Sequence, residues 1–418
     1  MPQNAASFAD AGRPVSEPSR RTIRIAFVAG EASGDLLGAN LLQALSARIP
    51  RLEAFGIGGP RMQSAGLDAW YPMELLAVRG YVEVFRSLPK LLRIRRDLRH
   101  RLLADPPDLF IGIDAPDFNL DLELALRSRG ITTVHYASPS IWAWRGERIH
   151  KIKRAVSKML TLFPFEAAIY EKAGVPVAYV GHPLADDLPE YPDKEAAREQ
   201  MRLSPKQTVV ALLPGSRQSE VRQMGELFTA TAKLVAEQLQ DVHFLVPLVS
   251  RETRVIFEEA LYHQQAEHLS VTILFAHAHM AMIAADAVLV ASGTATLEAA
   301  LLKRPMVITY RMPRLSAWIM RRQQRLRFVG LPNILAGEFV VPEILLEDAT
   351  PENLAQALAN QLHDKEVRRR LEHRFLEIHR MLKQGSAARA VEAILPLLGA
   401  IKLPARVANA AAREGARA

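Results

Sequence analysis

The sequence predicts an α/β protein with two Rossmann-like domains that face a cleft. Short apolar strands alternate with helical patterns along most of the chain, which is typical of parallel sheets covered on both faces. The alternation stops near residue 186 and then begins again. The length of 418 residues exceeds that of one ordinary domain. A hydrophobic fraction of 49% against 23% charged residues is sufficient to build two cores.

The first domain is predicted at residues 23–185, after a disordered tail at 1–22. The tail has no apolar segment of the kind found in signal peptides. Asp35 to Ile49 has the pattern of a helix. Runs of β-branched and aromatic residues bounded by turn residues indicate the strands of a parallel sheet. We predict these strands at 23–29, 52–57, 108–113, 132–137, 158–163 and 177–180.

The second domain is predicted at residues 204–350, after a linker at 186–203. The linker is acidic in its first part, contains prolines and lacks periodicity. We predict strands of the second sheet at 208–213, 242–248, 271–276, 287–291 and 305–310. Helical stretches at 351–400 have no strand left to cover, so they are expected to pack back, or to exchange between the chains of a homodimer. Residues 401–418 are a second disordered tail.

The composition limits the classes of partner and of site that the protein can have. A net charge of +8 and a pI near 9.7 imply an anionic partner, such as nucleic acid, a membrane surface or a phosphorylated substrate. The absence of cysteine excludes disulfides and thiolate metal sites. No apolar run approaches about 18 residues, so a membrane-spanning helix is not expected. We find no helix-turn-helix or RNA-binding signature, which disfavours a nucleic-acid-binding protein.

The positive charge is concentrated in one stretch. Between residues 86 and 101, seven lysines and arginines stand against the single acid Asp97, and leucines interleave with them at helical spacing. A basic amphipathic helix beside an apolar patch favours contact with an anionic bilayer. An ordinary packed helix with a solvated basic face explains the same spacing. The candidate membrane contacts are Tyr81, Val84, Phe85, Arg86, Lys90 and Arg93, and a second candidate surface spans residues 312–328.

Polar motifs follow the strands of the first domain. Glycine-rich turns occupy residues 30–35 and 56–61, directly after the first two strands. Asp114 follows the wholly apolar strand at 108–113, where a carboxylate shielded from water is a candidate general base. The alternative is that Asp114 only caps the next helix. This alternative has more weight for Asp117 than for Asp114. In parallel sheets ligands bind outside the carboxyl ends of the strands, so these residues predict a site.

The second domain repeats this arrangement. Residues 214–217 read Pro-Gly-Ser-Arg, between an apolar strand and a helix that begins near Ser219. Unpaired amides and the helix dipole there attract a phosphate. Ser292, Gly293 and Thr294 form a second such turn, and Glu298 lies one helical turn further, where it could bind a ribose diol or be a plain first-turn acid.

Several familiar metal and cofactor motifs are missing from the sequence. No G-x-G-x-x-G is present, so a dinucleotide is not favoured, and no D-x-D holds a metal on a nucleotide. His277 and His279 lack carboxylate partners and are read as the start of a surface helix. We therefore expect no metal and no cofactor.

The motifs together resemble the lipid-A-disaccharide synthase family. They are GEASGD (30–35), GIGGPRM (56–62), IDAPDFN (113–119), PSIWAWR (139–145), VGHPLAD (180–186), LLPGSRQSE (212–220), SGTATLE (292–298) and LPNILAGE (331–338). The resemblance covers residues 23–398 in family order. It implies the GT-B glycosyltransferase fold and transfer of diacylglucosamine from UDP to diacylglucosamine 1-phosphate. It also implies that the protein acts at the cytoplasmic face of the inner membrane, as a peripheral protein.

The resemblance implies a role for each motif. Asp114 would be the catalytic base. The UDP and donor site would comprise Gly215, Ser216, Arg217, Gln218, Glu220, Ser292, Gly293, Thr294, Glu298 and Asn333. The first-domain side of the cleft would comprise Glu31, Ser33, Gly58, Gly59 and Arg61. Acylated substrates favour membrane contact by the basic stretch over plain packing. The alternative function is a UDP-sugar 2-epimerase, which shares the two-domain plan but needs no lipid surface.

Overall fold

The structure is a computed structural model that describes residues 21–76, 81–143, 146–239, 241–311 and 327–399. For residues 81–87 it describes the backbone alone. Two parallel α/β sheets lie in succession along the chain, and helices cover them. This confirms the predicted fold class.

The first sheet has seven parallel strands in the order β3-β2-β1-β4-β5-β6-β7. The strands are β1 (Ile23–Ala29), β2 (Leu52–Gly58), β3 (Leu67–Pro72), β4 (Leu109–Ile113), β5 (Thr132–Tyr136), β6 (Lys158–Thr161) and β7 (Val177–Tyr179). The central strands β1 and β4 are almost entirely apolar and buried, as a sheet covered on both faces requires. The order reverses between β1 and β4, so the carboxyl ends of these two strands border the crevice where such sheets bind ligands.

The second sheet has six parallel strands in the order β10-β9-β8-β11-β12-β13. The strands are β8 (Thr208–Leu213), β9 (Val242–Leu248), β10 (Val271–Phe275), β11 (Ala287–Ala291), β12 (Met306–Tyr310) and β13 (Glu343–Leu345). Here the order reverses between β8 and β11. The turns after these two strands are the two phosphate-binding turns predicted above.

Helices cover both sheets. Those of the first half are α1 (Ala32–Arg48), α2 (Pro60–Ser64), α3 (Tyr81–Ala104), α4 (Pro116–Arg127), α5 (Arg148–Ala155), α6 (Pro164–Lys172) and α7 (Pro183–Asp187). Those that follow are α8 (Lys194–Gln200), α9 (Gln218–Gln238), α10 (Arg251–His263), α11 (Ala278–Ala284), α12 (Thr294–Leu301) and α13 (Leu331–Ala336). Short 3-10 turns at Met73–Leu75 and Leu346–Asp348 complete the connections.

Part of the predicted linker is structured. Within residues 186–203, α8 forms and buries Arg198 against the second domain. The Arg198 guanidinium donates to the carbonyl of Ala284 at 2.9 Å and to Asp286 at 2.7 Å. The acidic, proline-containing composition concealed this helix, because its stability comes from tertiary contacts rather than from periodicity.

The C-terminal helices α14 (Pro351–His363), α15 (Lys365–Leu382) and α16 (Ser386–Gly399) bridge the two domains. The first packs on the second sheet, through Leu354 and Leu358. The last packs on α1 of the first domain, where Ile394 is fully buried. This confirms that the helices pack back onto the body of the chain. Exchange of these helices in a homodimer stays a prediction.

One continuous apolar cluster links the carboxyl ends of the two sheets. It includes Phe163 and Phe165, which follow β6, together with Leu297 of α12 and Met282 of α11. The first domain has its own core around Phe27 and Ile111. The shared cluster packs residues of the two domains against each other. Among the residues that the structure describes, no helix is long and apolar enough to cross a bilayer.

Candidate functional site

Asp114 lies in a tight turn between β4 and α4. Its φ of 52° and the φ of 43° at Ala115 are both left-handed, a conformation that non-glycine residues adopt rarely. The Asp114 amide donates to the carbonyl of Tyr136 at 3.0 Å, which ties the turn to β5. Ala115, not Asp114, is the N-cap of α4, so the half-buried Asp114 carboxylate is not used as a helix cap. Asp117 lies in the first turn of α4 and pairs with Arg148.

The turn after β1 touches the Asp114 turn. A Cβ atom on Gly30 would lie 2.7 Å from the Cβ of Ala115, so only glycine permits this approach. Glu31 follows as the N-cap of α1 and is half-buried, whereas Ser33 is exposed. The structure therefore places Glu31 next to the Asp114 turn, and its role in the cleft stays a prediction.

The turn after β2 has an internal partner that the sequence reading missed. The buried carboxylate of Asp35 accepts hydrogen bonds from the amides of Gly59 at 2.9 Å and of Arg61 and Met62 at 3.0 Å each. The amides at Gly59 and Arg61 therefore hold α2 against α1. A Cβ atom on Gly58 would lie 2.5 Å from Leu67, so this glycine is required by packing. The Arg61 side chain is exposed.

The Pro-Gly-Ser-Arg turn after β8 holds a carboxylate of its own chain. Glu220, in the first turn of α9, accepts from the amides of Ser216 at 3.1 Å and Arg217 at 3.3 Å. It also accepts from the Arg217 guanidinium at 2.9 Å. A Cβ atom on Gly215 would lie 2.8 Å from the Glu220 carboxylate, and its φ of 131° excludes most side chains. Gln218 is exposed at the start of α9.

In this structure Glu220 binds the turn itself, and its predicted place in the UDP site stays a prediction. A carboxylate repels a diphosphate, and here it occupies the donors that a diphosphate would use. The anion-binding role of the turn stays a prediction, and in this structure Glu220 occupies donors of the turn and adds none.

The second turn, after β11, contains Ser292, Gly293 and the exposed Thr294, which begins α12. Glu298 projects from the first turn and a half of this helix, and its carboxylate lies 2.9 Å from Nε2 of His279. This hydrogen bond raises the pKa of His279. The sequence reading placed His279 on a surface helix and did not find this pair, because the contact joins α11 to α12.

Asn333 differs from its predicted contact with the nucleotide. Its buried amide group donates to the carbonyl of Val341 and to Glu343, and its oxygen accepts from the amides of Val340 and Val341, all within 2.8–3.0 Å. The side chain is fully used in fixing the loop before β13. Asn333 therefore shapes this region without offering a free polar group.

The comparisons with known proteins identify the family. A model of the Lipid-A-disaccharide synthetase family matches residues 25–394. The chain belongs to this family. It is therefore a glycosyltransferase, as predicted. It is 56% identical over 374 residues to the lipid-A-disaccharide synthase of Methylobacillus flagellatus, covering 90% of this chain and 99% of the relative. It is 54% identical over 377 residues to that of Dechloromonas aromatica, with 90% and 99% coverage.

Solved structures of low sequence identity support the GT-B fold of this family member. A structure of S. aureus MnaA with UDP matches with a TM-score of 0.62 at 15% identity, covering 92% of this chain and 99% of that one. A calicheamicin glycosyltransferase matches with a TM-score of 0.58 at 15% identity, covering 91% and 99%. A UDP-GlcNAc 2-epimerase from Neisseria meningitidis matches with a TM-score of 0.60 at 11% identity, covering 90% and 100%. The epimerase alternative thus has only a shared fold in its favour.

A groove of about 510 Å³ opens beside the Asp114 turn of this family member. Ala115 and Pro116 form one end of it, next to Glu31. Its apolar wall consists of Leu76, Leu88, Leu91, Leu92 and Phe118. Leu88 and Leu92 on α3 are 41% and 45% exposed and lie beside each other along this wall.

The membrane candidates are placed in part. Lys90 and Arg93 are exposed on α3, and this helix packs on the first domain through Ile94 and Leu98. The side chains of Tyr81, Val84, Phe85 and Arg86, and residues 312–326 of the second candidate surface, lie outside the described residues. In the described parts of the chain, no group of three or more His, Cys, Asp or Glu residues is placed to hold a metal ion.

The tryptophan motif lies over a buried acid. Trp142 donates to the carboxylate of Glu166 at 3.0 Å, and the amide of Phe163 donates to it at 3.1 Å. Burial raises the pKa of Glu166 to about 7. His182 stacks on Phe163 with ring centroids 5.7 Å apart, and burial lowers its pKa to about 4. Trp144 and Arg145 lie outside the described residues.

Proposed function

We propose that the protein transfers 2,3-diacylglucosamine from its UDP derivative to 2,3-diacylglucosamine 1-phosphate. The products are the tetraacyl disaccharide 1-phosphate and UDP. Family membership over residues 25–394 supports this reaction. Two features carry the proposal. A half-buried carboxylate follows β4, and a turn that contains the cation Arg217 follows β8.

We assign the proton transfer to Asp114. Its carboxylate takes the proton of the acceptor hydroxyl as the oxygen forms a bond to the anomeric carbon of the donor sugar. The bond from that carbon to the diphosphate breaks at the same time, so the configuration inverts. General base catalysis of this kind contributes roughly 10²–10⁴ to the rate. Glu31 is close enough to the same turn to contact the acceptor sugar.

We assign the leaving group to the turn after β8. The guanidinium of Arg217 and the amides of Ser216 and Arg217 bind the diphosphate, whose negative charge grows as the bond breaks. Donors aimed at developing charge stabilise the transition state more than the ground state. Glu220 must release these donors first. The side chains of Arg217 and Glu220 are 48% and 21% exposed. Because ion pairs in contact with water are weak, breaking this pair costs roughly 0–1 kcal/mol.

The nucleoside binds at the turn after β11. The backbone amides of this turn and the hydroxyls of Ser292 and Thr294 can donate hydrogen bonds to the diphosphate. Glu298 accepts from the two hydroxyls of the ribose, and His279 holds the Glu298 carboxylate in place.

The acyl chains bind in the groove beside Asp114. Three leucines of α3 line this groove beside Arg95, and it ends at the Asp114 turn, so an acceptor sugar at Asp114 places its chains against Leu88, Leu91 and Leu92. Each buried methylene contributes about 0.8 kcal/mol. Lys90 and Arg93 are exposed on the same helix, and we propose that they contact anionic headgroups. We propose that the enzyme works on the cytoplasmic face of the inner membrane, where it takes up its lipid substrates.

The function is tested by its product. Purified protein is incubated with UDP-diacylglucosamine, with and without diacylglucosamine 1-phosphate, and the lipids are analysed by mass spectrometry. The disaccharide should form only when both substrates are present. An epimerised UDP-sugar formed from the donor alone would instead support the 2-epimerase alternative.

The lipid surface is tested by vesicle sedimentation. Replacing Leu88 and Leu92 with serine should release the protein from vesicles that contain anionic lipid. The matched control replaces Val255 and Tyr262, two exposed apolar residues on α10 of the second domain. Binding that is lost equally in both variants, or in neither, would place the membrane contact elsewhere.

A further inference from the structure

A buried asparagine lies directly behind the Asp114 turn. Asn119, on the fourth residue of α4, is fully buried. Its amide nitrogen donates to the carbonyl of Asp114 at 2.8 Å, and it lies 3.2 Å from the carbonyl of Val28 and 3.4 Å from that of Ile113. One side chain therefore joins the carboxyl ends of β1 and β4 to the residue assigned as the base.

A buried pair of side chains, Glu123 and His135, lies behind Asn119. Glu123, one turn further along α4, and His135 of β5 are both fully buried, and their side chains meet at 2.7 Å. Gly112 of β4 leaves room for them, because a Cβ atom there would lie 2.1 Å from Glu123 and 3.0 Å from Asn119. Asn119 is thus closely packed against Gly112 on the side of the sheet, and its amide nitrogen is hydrogen-bonded to the strand ends.

The turn needs such support. Two successive residues, Asp114 and Ala115, have left-handed backbone conformations. Such a pair persists only where the surroundings determine the backbone more strongly than its own preference does. The Asp114 amide is fixed by Tyr136 and its carbonyl by Asn119, so both sides of the residue are anchored. Asn119 is also neutral, so it fixes the backbone without pairing with the catalytic carboxylate.

We infer that Asn119 is a positioning residue for the glycosyl transfer: it fixes the backbone of Asp114 so that the carboxylate points at the acceptor hydroxyl. This inference rests on the proposed role of Asp114 as the base. Asn119 itself touches neither substrate, because it is buried beneath the turn. Its effect should therefore appear in turnover and not in binding.

The experiment compares Asn119→Ala in the wild-type and Asp114→Asn backgrounds. In the wild type we expect turnover to fall about 10²-fold, the loss typical of a misplaced catalytic group. In the Asp114→Asn background, where no base remains to be positioned, the same substitution should change the residual turnover by less than about threefold. The affinity for UDP, which binds on the other domain, should change by less than about twofold in every variant.

Two further variants separate positioning from folding. Asn119→Leu refills the volume without restoring the donor, and it should lose as much turnover as Asn119→Ala. Thr133→Val removes another buried hydrogen bond of the first domain, from the Thr133 hydroxyl to the carbonyl of Ala155 at 2.7 Å. Thr133 lies near the amino end of β5, away from the site, so this variant should keep wild-type turnover.

The inference is overturned if Asn119→Ala lowers turnover equally in both backgrounds, if Asn119→Leu restores it, or if Thr133→Val loses as much. These outcomes differ from failure of the proposed function. A wild-type protein that forms no disaccharide, or an Asp114→Asn variant with full turnover, would remove the base itself.

Discussion

The two sides of the site are built in opposite ways. On the first domain, polar groups behind Asp114 are buried and fixed: Asn119 and Glu123 are fully buried, and Glu166 after β6 is nearly so. On the second domain, charged groups are partly exposed and paired with each other, as in Arg217–Glu220 and His279–Glu298. Burial raises the pKa of both Glu123 and Glu166, whereas the second-domain pairs keep much of their contact with water.

The difference matches the demands on each side. A base must stand within a fraction of an ångström of one proton, so its support has to be rigid. A nucleotide diphosphate brings its own charge and can replace an exposed carboxylate at small cost, since surface ion pairs contribute roughly 0–1 kcal/mol. The first domain therefore uses buried hydrogen-bonded groups, and the second uses exchangeable charges.

The largest expected effect comes from removing the base. Asp114→Asn should lower turnover by roughly 10²–10⁴ because general base catalysis is lost. The affinity for UDP should stay within about twofold, since UDP contacts the other domain. Turnover and UDP titration of the same preparation measure both quantities. Unchanged turnover would remove Asp114 as the base, and a parallel loss of UDP affinity would show that the two sides are not independent.

The buried side should also control the pH dependence of stability. Glu166 has a pKa of about 7 in the folded protein against a reference value of 4.5, so it keeps a proton that the unfolded chain loses. Its contribution to stability therefore falls as the pH rises from 4.5 to 7. The pKa of His182 is about 4 in the folded protein against a reference value of 6.5. Its contribution to stability therefore rises as the pH rises from 4 to 6.5. Each change amounts to about 3 kcal/mol, and the two oppose each other.

Single substitutions should expose these opposing contributions. Glu166→Gln should leave a protein whose unfolding free energy rises with pH between 4 and 6.5. His182→Asn should leave one whose unfolding free energy falls between 4.5 and 7. Urea unfolding at half-unit pH steps measures both slopes against the flatter wild-type profile. If the slopes of the variants equal that of the wild type, these two groups do not titrate as their burial requires.

The fold followed from the sequence where the apolar runs were long. The predicted bounds of β1, β8, β9 and β11 match the structure residue for residue, because continuous buried runs leave little choice. The predictions missed β3 and β13. The first contains Asp68 and ends in proline, and the second has three residues, so neither shows a strand pattern.

The site was predictable to the level of the turns but not of their partners. Asp114 and Arg217 follow apolar strands, and the rule that ligands bind at carboxyl ends was enough to select them. Which neighbour each turn binds depends on tertiary contacts. Asp35 reaches across to Gly59, His279 meets Glu298 between two helices, and Asn333 turns inward to its loop. A pattern of residue types along the chain does not encode such contacts.

The exposed side should respond most to the loss of Arg217. Arg217→Ala should weaken UDP binding and turnover together, by about 10- to 100-fold, because a charge-assisted hydrogen bond is worth about 1.5–3 kcal/mol. Added magnesium should not restore either. The matched control is Arg222→Ala, an exposed arginine on the same helix. A loss of turnover with unchanged UDP affinity would move Arg217 from the diphosphate to the chemical step alone.

The smallest effect, and the sharpest test of the contrast, concerns Glu220. If its carboxylate competes with the diphosphate for the Ser216 and Arg217 donors, Glu220→Gln should strengthen UDP binding, by up to about fivefold for a pair worth roughly 1 kcal/mol. Isothermal titration with UDP measures the change. Glu226→Gln, on the same helix and paired with His263 at 3.2 Å, is the control and should bind UDP as the wild type does.

The opposite result for Glu220 would be equally informative. Weaker UDP binding in Glu220→Gln would mean that the carboxylate aligns Arg217 for the ligand instead of occupying its place. The second domain would then be preorganised in the manner of the first, with an exposed ion pair serving the purpose that Asn119 serves in a buried position. Because an exposed pair is screened by salt and a buried amide is not, raising the ionic strength would weaken that alignment only on the second domain.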